Sequence, residues 1–68
     1  MIYQDRHYSL LRHNRRNRTI TIRCSYRDGS HQDYRSNSLS LADWAYYVHY
    51  ATESDLIDFL KSNDYYLI

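Results

Sequence analysis

The stretch from Arg18 to Arg27 alternates apolar and polar side chains and constrains the fold more than any other part of the chain. Ile20, Ile22, Cys24 and Tyr26 share one parity; Thr19, Thr21, Arg23, Ser25 and Arg27 share the other. Successive side chains of a strand point to opposite faces, so this run has one face to bury and one to present to water. Its β-branched content favours the same geometry. It is expected to be the central strand, over 18–27, with its apolar face turned inward. Cys24 falls on that face and is expected to behave as a small hydrophobe. No neighbouring residue gives it metal-ligand spacing, so neither a metal-ligand nor a nucleophile role is expected for it.

A first strand is expected over 2–12. Ile2, Tyr8 and Leu10 share one parity, while Tyr3, Asp5, His7 and Ser9 share the other, an imperfect alternation that fits an edge strand or a bulged one. Residues 13–17 (His13, Asn14, Arg15, Arg16, Asn17) read as a loop, because asparagine tolerates the left-handed conformation of tight connections. Arg27, Asp28 and the only glycine, Gly29, mark a second hairpin turn. A two-residue loop would set Ile22 opposite Arg35. A three-residue loop sets it opposite Tyr34 and Cys24 opposite Gln32, keeping charge off the core face; the longer loop is therefore expected, with a bulge at Gly29. The third strand, 30–36, is weakly apolar and is expected at the sheet edge or covered from one side only.

The second half reads as helical. Ser40 stands as an N-cap with Asp43 three residues on, and Leu39 and Trp44 have the spacing of a hydrophobic staple. Leu41, Trp44, Ala45 and Val48 form an i, i+3, i+4, i+7 stripe expected to face the sheet. Thr52 and Asp55 repeat the start signature, so a second helix is expected over 53–62 with Leu56, Phe59 and Leu60 inward. A single long helix over 41–62 is the alternative. Asn63 is placed to end the second helix in the left-handed conformation. The apolar end, Tyr65 to Ile68, either adds a short strand or folds back onto the sheet. The fold class is thus α+β: a three-stranded antiparallel sheet followed by two short helices on one face, with room for a short C-terminal strand.

Sixty-eight residues fit one domain with a thin core. Val, Ile, Leu, Met and Phe supply only 15 of them, so the nine tyrosines and Trp44 must supply part of the buried area. A single cysteine allows no internal disulfide, which favours a reducing compartment. No apolar run approaches the roughly 20 residues of a membrane span, and charge appears by Asp5 and Arg6, without a signal-peptide core. A cytoplasmic protein without membrane contact is expected.

Net charge is +1, but it is divided. Residues 1–38 carry eight arginines against three aspartates; residues 39–68 carry one lysine against five carboxylates. Such asymmetry bears on partners and association. The sequence contains no phosphate-binding glycine loop, nucleophile elbow or paired-cysteine metal site. His7, His13, His31 and His49 lack metal-ligand spacing, so no metal or cofactor is expected. Arg15, Arg16, Arg18, Arg23 and Arg27, with Thr19 and Thr21, offer a basic sheet face and loop suited to a nucleic-acid backbone. A ribonuclease-type toxin using His31, Arg35 and Arg23 is a minor alternative. Tyrosine, tryptophan and arginine, the types enriched in interface hot spots, supply 18 of 68 residues. Protein binding is therefore the leading expectation. Its contact residues would be those arginines, Tyr46, Tyr47 and Tyr50, and the acidic Glu53, Asp55 and Asp58. The complementary charged halves also admit a homodimer.

In size and character the chain resembles the small accessory proteins with which phages and other mobile elements disable host defences, the anti-CRISPR proteins among them. The residues behind the comparison are Arg15-Arg16-Asn17-Arg18, the Tyr46-Tyr47 pair and the acidic run Glu53, Asp55, Asp58. The resemblance implies a compact α+β unit that occludes a host protein or ribonucleoprotein complex without a catalytic site. It carries over no functional residue.

Overall fold

A computed structural model of the chain describes residues 6–68. Three strands, β1 (Arg6–Asn14), β2 (Thr19–Tyr26) and β3 (His31–Ser36), run as an antiparallel meander. Two helices follow, α1 (Leu41–His49) and α2 (Glu53–Lys61). A short β4 (Tyr65–Leu67) then returns to pair antiparallel with β3, giving the sheet order β1-β2-β3-β4. The chain is an α+β protein, as the alternation and capping signals indicate. Of the expected first strand, residues 2–5 lie outside the described residues.

The second hairpin has the expected three-residue loop. Ile22 faces Tyr34, and Cys24 faces Gln32. The Tyr26 amide donates to the Ser30 carbonyl at 2.8 Å, and the Gly29 amide donates to the Tyr26 carbonyl at 3.1 Å. Gly29 has φ of 94°, and a Cβ there would meet no atom within 4 Å. Glycine is thus required by the backbone angle and not by lack of room. The Asp28 carboxylate accepts from the Ser30 amide and hydroxyl, which holds its pKa below the usual range.

The first hairpin departs from the simple alternation. β1 runs on to Asn14, taking in His13 and Asn14 that were expected in the loop, and the turn is confined to 15–18. Arg18 makes the turn in the left-handed region, at φ 53°. Between Leu10, opposite Ile22, and Arg12, opposite Thr21, the register shifts by one residue at Leu11. This bulge inverts the parity of β1. Tyr8 and Leu10 pack against the core, but beyond the bulge it is His13 that reaches the helix side, edge-on to Trp44 at 5.6 Å. Arg12 is turned to the opposite face.

The core is the cluster Ile20, Ile22, Trp44, Leu56 and Phe59, with Cys24 also fully buried. Below Thr21–Arg35 the β2–β3 ladder ends, and side chains take over its hydrogen bonds. Buried Ser36 accepts from the Ile20 amide at 3.0 Å, and the Trp44 indole donates to the Thr19 carbonyl at 3.2 Å. The connector is strapped to the same end, since the Leu39 amide donates to the Arg18 carbonyl at 2.8 Å.

The helical region forms two helices rather than one. Ser40 caps α1, accepting from the Asp43 amide. Thr52 and Asp55 form a full capping box on α2, and Asn63 follows its end at φ 62°. Two expectations need correction. Of the two readings of the third strand, the edge fails: the short C-terminal strand for which the sequence left room, β4, pairs with it from Tyr34 to Ser36, and the helical excursion returns the chain to its open side. The α1 stripe does not all face the sheet. Trp44 is buried and Ala45 and Val48 are half-buried, but Leu41 is 62% exposed. Tyr47 on the neighbouring stripe packs edge-on against Phe59 instead, so α1 is rotated toward α2. A short helix that must meet both a sheet and a second helix divides its apolar surface between them.

Candidate functional site

Helix packing against Ile20 and Ile22 leaves the opposite sheet face to residues of the other parity. Pairing sets them in rows across the strands. Arg12, Thr21, Arg35 and Tyr66 form one row through all four strands. Ser9, Arg23 and Asp33 form the next, and His7, Ser25 and His31 the one beyond. In the middle row Arg23 is neutralised: its guanidinium donates two bonds to Asp33, at 2.8 and 3.0 Å. That bidentate contact holds the Asp33 carboxyl below its usual pKa.

The first row is different. Arg12 and Arg35 make no hydrogen bond or ion pair among the described residues. They line a polar cavity of about 280 Å³ with His13, Asn14, Asn17, Thr19, Thr21 and Tyr66. Thr21 is only 3% exposed although no helix covers it, so it forms the floor of this cleft. The Leu11 bulge creates the site by bringing Arg12 to this face.

On the other side of the same hairpin, His13 and Arg15 meet Leu41, Trp44, Ala45 and Val48 around an apolar groove of about 560 Å³. Arg15 and Arg16 are exposed on the turn that joins β1 to β2, and His13 lines both cleft and groove. The β1–β2 end therefore carries a cationic tip, a polar basic cleft and an apolar groove within one continuous surface.

The other residues singled out from sequence lie elsewhere. Arg18 uses its Nε–H on the Leu39 carbonyl at 2.9 Å and so helps hold the connector. Arg27 is exposed in the second hairpin loop, at the far end of β2. Tyr46 donates its hydroxyl to Asp55 at 2.8 Å and stacks edge-on with half-buried Tyr47. Tyr50 is 74% exposed. Glu53 accepts from the Tyr8 amide at 2.9 Å and so occupies a backbone group on the outer edge of β1. Asp55 serves the α2 cap, and bonds from Thr52 and Tyr46 lower its pKa. Asp58 is exposed, with Lys61 at 4.0 Å. The structure thus brings Arg15 and Arg16 together with residues that sequence reasoning passed over: Arg12, Tyr66 and the groove side of α1. A break in the alternation after Leu10 was the available signal for Arg12. Of the nuclease candidates, Arg23 is paired with Asp33, and His31 stands about 13 Å along the strand from Arg35, by the rise of four strand residues.

Comparison with protein-family models found no match, and comparisons with curated proteins and with solved structures found none either. Among the described residues no helix is long and apolar enough to cross a membrane.

Proposed function

We propose that this chain is a non-enzymatic binding protein that inhibits a host protein or protein–nucleic-acid complex by covering its surface, as the small anti-defence proteins it resembles do. The observation that carries this is the composition of the β1–β2 end, where Arg15 lines an apolar groove, Arg16 is exposed beside it on the turn, and His13 joins that groove to a basic cleft. Tight interfaces place apolar anchors at the centre and charges, arginine especially, around them. The acidic residues are less available for a partner: Glu53 and Asp55 already serve β1 and the α2 cap.

The test is affinity capture from host cells, identification of the captured protein or complex, and a binding assay with that partner purified. Arg15→Glu combined with Arg16→Glu is expected to weaken binding at least tenfold, while Asp58→Lys leaves it unchanged. The opposite pattern would move the contact surface to the helical side. A second reading, a regulator that binds nucleic acid directly, is favoured by one specific observation: two arginines without an ion pair among the described residues share the sheet-face cleft with a tyrosine.

A further inference from the structure

We propose that the sheet-face cleft is a subsite for single-stranded nucleic acid, with Arg12 and Arg35 converging on one backbone phosphate and Tyr66 stacking on an adjacent base. This rests on the proposal that the β1–β2 end is the contact surface, and it names the chemistry that the cleft accepts.

Strand spacing sets Arg12 and Arg35 about 9.5 Å apart at their Cα atoms, one on each side of Thr21. Two long side chains at that distance reach a common point above the threonine. Two guanidinium groups brought to that common point repel each other. Asp33 in the adjacent row is bonded to Arg23 and reaches Arg12 only through its field, and among the described residues no carboxylate lines the Arg12–Arg35 cleft. An anion in the cleft removes the repulsion. Guanidinium groups give phosphate paired, directional bonds, and the hydroxyls of Thr19 and Thr21 and the amide of Asn14 add donors around it.

Tyr66 decides between a strand of nucleic acid and an acidic protein segment. It ends the same row, lines the cavity and is 47% exposed. A guanidinium pair next to an exposed aromatic ring matches alternating phosphate and base, the pattern by which sheet surfaces hold single strands. A carboxylate-bearing peptide would use the arginines and leave the ring without a role.

The experiment is fluorescence anisotropy of a labelled single-stranded oligonucleotide with the whole chain, across a salt series, with unlabelled oligonucleotide and polyglutamate as competitors. Saturable binding is expected. Arg12→Gln combined with Arg35→Gln should flatten the log affinity–log salt slope by about 0.7, the value for one neutralised phosphate of a single strand, and each substitution alone by less than that. Tyr66→Leu should leave the slope unchanged and weaken binding about 5- to 150-fold, the range for loss of one stacked base. Lys61→Gln, on the helical side, should behave as the parent. Thermal melting identifies any variant that fails to fold, and Arg12→Lys then replaces Arg12→Gln, with the slope kept and affinity reduced. Absence of saturable binding, arginine variants that bind like the parent, or polyglutamate competing as well as unlabelled oligonucleotide would each overturn the proposal. If the oligonucleotide fails to bind while Arg15→Glu with Arg16→Glu still abolishes capture of a protein partner, the subsite falls and the broader function stands.

Discussion

Trp44 and Ser36 show how much a thin core asks of single residues. Trp44 fills the space between β2 and α1 and also satisfies the Thr19 carbonyl. Trp44→Ala is expected to cost about 3–5 kcal/mol by urea unfolding, the range for large aromatic truncations, which a protein of this size can barely withstand. Ser36 has a smaller but sharper role. Its hydroxyl is the partner of the buried Ile20 amide, so Ser36→Ala should cost about 1–3 kcal/mol, the penalty for orphaning a buried donor. Ser36→Thr, which keeps the oxygen, separates that bond from packing: recovery of stability would confirm the bond, and continued loss would point to crowding at a fully buried site. Tyr50 is the contrast. At 74% exposure, Tyr50→Ala should leave the urea midpoint unchanged.

Elements here are short, and their ends are held by side chains. α2 depends on the reciprocal Thr52–Asp55 box, and Asp55 also receives the Tyr46 hydroxyl from α1. Thr52→Ala should cost about 1 kcal/mol in thermal or urea unfolding. Asp55→Ala should cost more, because the cap and the link between helices go together. Equal losses would mean that the Tyr46 bond contributes nothing measurable. β1 carries the other decisive local feature. The Leu11 bulge keeps Leu10 on the core and Arg12 on the open face, a division that an unbroken strand cannot make. β4 closes the far side of β3 with only three residues, and its Leu67 and the following Ile68 remain exposed.

For the whole molecule, the carboxylates predict how stability varies with pH. Asp33, Asp28 and Asp55 all titrate below the usual carboxylate range, through bonds from Arg23, Ser30 and Thr52 respectively. A lowered folded pKa means that the unfolded chain binds protons first. Stability from these groups is present above the unfolded value of about 4 and is lost as pH falls through the lower folded values. Circular dichroism during acid titration should show little change in melting temperature above about pH 5 and a decline beneath about pH 4. Asp33→Asn and Asp55→Asn together should flatten that decline. An undiminished slope in the double variant would show that these bonds are not maintained in solution. Tyr8, Tyr34 and Tyr47 act in the other direction, since burial raises each of them. Their contribution is present below about pH 10 and is lost as pH rises through the higher folded values.

Features fixed by neighbours in sequence were legible from the residues alone. Gly29 and the parity of Ile22 against Tyr34 determined the three-residue loop; Thr52 with Asp55, and Asn63, determined where α2 starts and stops. Each involves a few consecutive residues and a backbone angle or bond that only certain side chains permit. The α+β class followed from one clean alternation and two caps. Tertiary structure decided which of two overlapping stripes on α1 met the core, because the choice depends on where α2 lies, and Leu41 was left outside as a result. It decided that β4 would cover β3, since strand pairing brings together residues that local pattern cannot connect. Above all it decided the candidate site. Arg12, Thr21, Arg35 and Tyr66 lie on four strands, and a single extra residue at Leu11 sets whether Arg12 joins them. Local sequence carries the propensity for a bulge, but only packing against β2 and the helices fixes the position at which burying Leu10 and exposing Arg12 are both satisfied.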